Sequence, residues 1–89
     1  MPETSDMKAN LCGKRIKLAR FNKEMAQVDL AAALSVDYEL ELQQTRISAI
    51  ERGERHVGDK ELVAIAEILD VTVEWLVFGD KGDPRTKKI

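Results

Sequence analysis

Apolar residues recur along the chain with helical spacing. Cys12, Ile16 and Ala19 fall at i, i+4 and i+7, the stripe of an amphipathic helix that Asn10 can open as N-cap. After a break at Asn22–Glu24, Leu30, Ala31 and Leu34 share one side of a second helix beginning near Gln27. Residues 35–43 alternate in polarity and read as strand or as continued helix. A lone strand has nothing to pair with, and the i, i+4 spacing of Leu34 and Tyr38 favours a helix running on before a turn. Thr45–Arg52 forms a third helix with Ile47 and Ile50 inward, and Gly53 stands where a left-handed C-terminal cap belongs. Gly58 or Asp59 opens a fourth, with Leu62, Ile65, Ala66 and Leu69 as its buried stripe. Thr72 caps a last helix over Val73–Phe78, which ends at Gly79. The pattern predicts an all-α fold of five short helices over residues 10–79, between a flexible N-terminus (1–9) and a flexible basic tail (80–89).

With 89 residues the chain has room for one domain. Aromatic residues are only 4%, too few for a stacking platform of the kind that grips single-stranded nucleic acid. Cys12 is the only cysteine and His56 the only histidine, so neither a disulfide framework nor a zinc site is expected. Cys12 itself reads as a small buried hydrophobe. No base pairs with Cys12 or His56, and there is neither a glycine-rich phosphate loop nor a metal-ligand cluster. The expectation is a non-enzyme without cofactor or metal. No apolar run is long enough to span a membrane and residues 1–9 do not form a signal peptide, which points to a cytoplasmic protein.

The formal net charge of −2 argues against binding nucleic acid through bulk positive charge. Its distribution changes that picture. Lys14, Arg15, Lys17, Arg20 and Lys23 fall within residues 10–23 with no acid among them, whereas Asp59, Glu61, Glu67, Asp70, Glu74 and Asp80 dominate residues 59–80. Each run alone is a solvated helix face. Together they make a basic first helix and an acidic late segment.

Two tightly joined helices, the second short and followed by glycine, have the geometry of a helix-turn-helix. The residues that carry a family likeness are Gly-Lys-Arg-Ile-Lys-Leu-Ala-Arg at 13–20, Met25 to Leu34 with Gln27 and Leu30-Ala31, Arg-Ile-Ser-Ala-Ile-Glu-Arg-Gly at 46–53, residues 61–73, and Trp75-Leu76. In order and spacing they resemble the Cro/phage-repressor-type helix-turn-helix domains, also called the xenobiotic-response-element family. The resemblance covers residues 10–79 and implies a lambda-repressor-like fold that binds double-stranded DNA in a sequence-specific way. The implied role is a transcriptional regulator, a repressor acting as a homodimer, with its third helix (44–52) in the major groove.

The resemblance also implies site residues. Gln43, Gln44, Thr45, Arg46 and Ala49 lie where a recognition helix meets base edges. Gln can bond adenine in pairs, Thr offers a hydroxyl and a methyl, Arg reaches guanine or phosphate, and the Ala methyl can meet thymine. Gln is a poor N-cap, so capping does not account for Gln43. Gln27, at a helix N-terminus that suits phosphate, would brace the DNA backbone and the next helix. Arg52, Arg55 and Lys60 border the following loop as phosphate contacts. Glu51 would pair with Arg20 and clamp the first helix to the third, a structural role. The late helices would lie away from the recognition helix, with a dimer forming around Trp75–Phe78.

The chain departs from the family pattern in three places. Ser35–Glu41 is an insertion into the turn, and its acids Asp37, Glu39 and Glu41 are close to where phosphates would lie. Glu24 replaces a usual glycine, and Ala26 replaces a usual Ser or Thr cap, at a cost of about 1 kcal/mol and with a looser first junction expected. The alternative to DNA regulation is a protein-interaction module, such as an antitoxin or anti-repressor. It would use the 35–41 insertion, with Tyr38 and Leu40 exposed, or the acidic late helices.

Overall fold

The structure is a computed structural model that describes residues 2–79, with side chains from Cys12 onward. The basic tail at 80–89 lies outside the described residues. These form five helices and no strand: α1 (Pro2–Asn22), α2 (Gln27–Tyr38), α3 (Gln44–Glu51), α4 (Asp59–Leu69) and α5 (Val73–Phe78).

The first helix begins at Pro2, not at Asn10. No glycine or further proline falls between Glu3 and Cys12, and a proline is tolerated in the first turn because its missing N–H would have no intrahelical partner there. A continuous helix therefore needs no cap at Asn10.

The stripes converge on one core. Cys12, Ile16 and Ala19 from α1, Leu30 and Leu34 from α2, Ile47 and Ile50 from α3, Ala64, Ile65, Ala66 and Leu69 from α4 and Leu76 from α5 are all buried. Leu62, expected in the α4 stripe, packs against the core only in part, and Ala64 takes a buried place that was not anticipated. α1 packs against α3, α4 and α5, while α2 bridges α3 and α4. The α1–α3 approach is close: a Cβ on Gly13 would fall 2.2 Å from the Ile50 carbonyl oxygen and 3.0 Å from that of Glu51.

Most helices end by the same device. The N–H groups of Met25, Glu54 and Val71 reach back to the carbonyls of Arg20, Ala49 and Ala66 at 3.0, 2.9 and 3.0 Å, with Glu24, Gly53 and Asp70 left-handed in between. Glycine takes such a conformation freely. Glu24 takes it against the preference of its Cβ.

The first junction is not loose. The Asp29 carboxylate accepts the Ala26 N–H at 2.9 Å, half of a capping box, although Ala26 has no capping oxygen of its own. Arg20 Nη1 also donates to the Met25 carbonyl at 2.7 Å. The insertion prolongs α2 to Tyr38 before the chain turns at Glu39, which is again left-handed (φ 56°). Tyr38 and Leu40 are half-buried against the core, and the Tyr38 hydroxyl donates to Glu67 Oε1 at 2.6 Å. Both residues are thus less exposed than a partner-binding role for them would favour, and Tyr38 is engaged with Glu67.

Candidate nucleic-acid interface

The inner side of α3 is fixed to the rest of the molecule. Arg20 and Glu51 meet as a two-pronged pair, Nε to Oε2 at 2.7 Å and Nη2 to Oε1 at 2.9 Å, with both side chains almost wholly buried. The Phe21 ring lies 4.9 Å from the Arg20 guanidinium carbon and covers it. Glu51 Oε1 also accepts Gln27 Nε2 at 3.0 Å, and Gln27 Oε1 accepts Gln44 Nε2. One chain of polar contacts thus runs from α1 through the α3 C-terminus and the first residue of α2 to the first residue of α3.

This chain gives Gln27 and Gln44 related places. Gln27 heads α2 and faces α3, and Gln44 has its amide nitrogen committed to Gln27, leaving its carbonyl oxygen uncommitted in that contact. The family resemblance implied the Arg20–Glu51 pair. It did not indicate that Gln27 would share the same carboxylate.

The outer side of α3 is a shallow groove. Gln43, Thr45, Arg46 and Ala49 line it together with Arg55 from the following loop and Glu41 from the insertion. Gln43 is the N-cap by position but makes no capping bond, so its amide stays exposed. Of the three inserted acids, Glu41 alone lines this groove, with Ser35 Oγ donating to its carboxylate at 3.3 Å.

Two arginines of this surface, Arg46 and Arg52, have carboxylate partners. Arg46 Nη2 lies 3.6 Å from Glu61 Oε2 on α4. The late acidic segment therefore touches α3, contrary to the expectation that it would lie away from it, because Glu61 in the first turn of α4 reaches Arg46. Arg52 donates to both Glu54 oxygens at 3.1 and 3.0 Å and to Ser48 Oγ. The Glu54 partner pushes the Arg52 pKa up, and Arg52 holds the Glu54 carboxyl below its ordinary range. Lys60 stands apart, on a face it shares with Tyr38, Val63 and Glu67.

Burial pushes the Cys12 thiol up, as expected of a small core residue. Among the described residues there is no group of three or more His, Cys, Asp or Glu side chains placed to hold a metal ion. No helix among them is long and apolar enough to cross a membrane.

Comparison with known proteins follows this geometry. A helix-turn-helix family model matches residues 16–76. The chain is 30% identical over 77 residues to the HTH-type transcriptional regulator DicA of Escherichia coli (strain K12), a match covering 86% of this chain and 53% of that protein. The chain thus spans about half the length of the curated relative it matches. No solved structure gives a significant match. The chain belongs to the helix-turn-helix family, of the Cro/C1 type.

Proposed function

We propose that this helix-turn-helix protein is a sequence-specific regulator of transcription, a repressor that binds double-stranded DNA as a homodimer with α3 in the major groove. The observation that carries the reading is the single groove formed by Gln43, Thr45, Arg46, Ala49 and Arg55 at the exposed side of α3. An amide, a hydroxyl, a guanidinium and a methyl held on one short helix match the donors, acceptors and methyl groups of major-groove base edges. The DicA relative, itself named a transcriptional regulator, supports the same class.

Within this reading Gln43, Thr45, Arg46 and Ala49 face bases, and Gln44 offers its remaining amide valences to an adenine. Gln27 holds Gln44 in place and, at the head of α2, approaches a backbone phosphate. Arg55 and Arg52 contact phosphates, Arg52 after giving up Glu54. Lys60, on another face, adds only to the long-range field. The dimer forms around Trp75–Phe78, where Phe78 is 60% exposed and Trp75 lines a shallow apolar depression with Ala19, Leu69 and Val71.

Selection from a random duplex pool followed by salt titration tests the proposal. A defined, two-fold-related site should emerge. Gln43→Ala and Gln44→Ala should shift its sequence, while Arg55→Ala should weaken all duplexes alike and reduce the salt slope by about one. Absence of duplex binding even at low salt would overturn it.

A further inference from the structure

Arg46 is held in an unusual way. It lines the groove and keeps 40% of its side chain exposed, yet its Nε is buried without any hydrogen-bond partner. Its one ionic contact, to Glu61 Oε2, is 3.6 Å long, well beyond the roughly 2.7–2.9 Å of a strong charge-assisted bond. A guanidinium has five donors, and this pose satisfies them poorly.

The carboxylate it leans on cannot follow it. Glu61 Oε1 accepts the Gly58 N–H at 3.0 Å and so closes the N-terminus of α4, and the Glu61 side chain is only 18% exposed. Glu61 is tethered at one oxygen and offers the other to a partner at arm's length.

We propose that Glu61 is a specificity-setting residue that acts through Arg46. It draws the guanidinium toward α4 in the free protein, so that Arg46 turns from Glu61 to a base edge only for an acceptor pair good enough to outcompete a carboxylate. The two adjacent acceptors of a guanine edge, O6 and N7, meet that condition, and a base edge that presents a donor does not. Breaking the Arg46–Glu61 contact costs only the matching complex, in which Arg46 turns to the base; a non-specific complex leaves Arg46 on Glu61 and pays nothing. Glu61 therefore restrains affinity for the matching site and narrows its margin over other sequences. This inference rests on the DNA-binding reading above.

The test is a double-mutant cycle read as a ratio: affinity for the selected duplex divided by affinity for a scrambled duplex, at low salt. Glu61→Gln keeps an oxygen for the Gly58 N–H and removes the charge, and thermal unfolding verifies that the cap survives. In the parent chain Glu61→Gln should tighten the selected duplex more than the scrambled one and raise the ratio by about three- to tenfold. In an Arg46→Ala background it should leave the ratio unchanged. Glu41→Gln removes another carboxylate of the same groove. It should tighten both duplexes without changing the ratio, which separates general electrostatics from the Arg46 contact.

An unchanged or lowered ratio in Glu61→Gln, or an equal rise in both backgrounds, overturns the inference while the DNA-binding reading stands. A parent chain that binds no duplex overturns both.

Discussion

The two sides of α3 are built on opposite rules. On the inner side Ile47, Ile50 and Glu51 are buried, the Gly13 backbone approaches too closely for any side chain, and Arg20 grips Glu51 with two short bonds. On the outer side Gln43, Thr45 and Arg52 are exposed, and the one cross-helix ion pair is long and leaves a nitrogen unpartnered. Eight residues thus serve both purposes. The inner side is held rigidly, whereas the outer side leaves the Gln43 side chain exposed and holds Arg46 only by a long contact. Changes on the inner side should be read in stability, and changes on the outer side in binding.

The sharpest break should come from Glu51→Ala. It strands the Arg20 guanidinium in the core and removes an acceptor from Gln27, at a cost of about 3–5 kcal/mol measured by chemical denaturation. A loss below 1 kcal/mol would mean that the clamp is ornamental. Gly13→Ala follows. A methyl 2.2 Å from the Ile50 oxygen must push α1 off α3, and a loss of about 2–3 kcal/mol is expected. Glu24→Gly should move the other way and stabilise by about 1 kcal/mol, because the left-handed turn no longer opposes a Cβ. An unchanged melting temperature would show that the strain is relieved elsewhere. The smallest effect on stability is expected for Gln43→Ala, within about 0.5 kcal/mol, since its side chain caps nothing. If it destabilised the fold more than that, the division between the two sides would fail at its outer edge.

Cys12 gives a chemical probe of the same division. It is 7% exposed, and burial raises its pKa, so both access and thiolate supply are low. A thiol reagent at neutral pH should label it only at the rate of opening. Glu51→Ala should accelerate that labelling, and Gln43→Ala should not.

The parts of this picture that the sequence made legible are those carried by local chemistry. The period of Cys12, Ile16 and Ala19 marked an inward stripe, Gly53 marked the end of α3, and Thr72 the start of α5, where its Oγ1 accepts the Trp75 N–H at 3.0 Å. The Arg20–Glu51 pair was available from the family resemblance. The start of α1 was misplaced because a good cap residue is also tolerated inside a helix, at a small cost in propensity, when no glycine or further proline breaks the chain before it. The looseness expected after Ala26 did not arise, because Asp29 supplied the missing acceptor from inside the helix.

By itself, then, the sequence determined the helices, their inward stripes and the family of the chain, since periodicity, turn residues and motif order act over a few residues at a time. The tertiary structure decided which side chains share a partner. It brought Glu61 to Arg46, fifteen residues apart, and joined Gln27 and Gln44 to the buried carboxylate of Glu51. It placed Lys60 on a different face from the groove. Such contacts depend on how whole helices cross, and a crossing is set by the packing of every buried residue at once rather than by the residues that meet there.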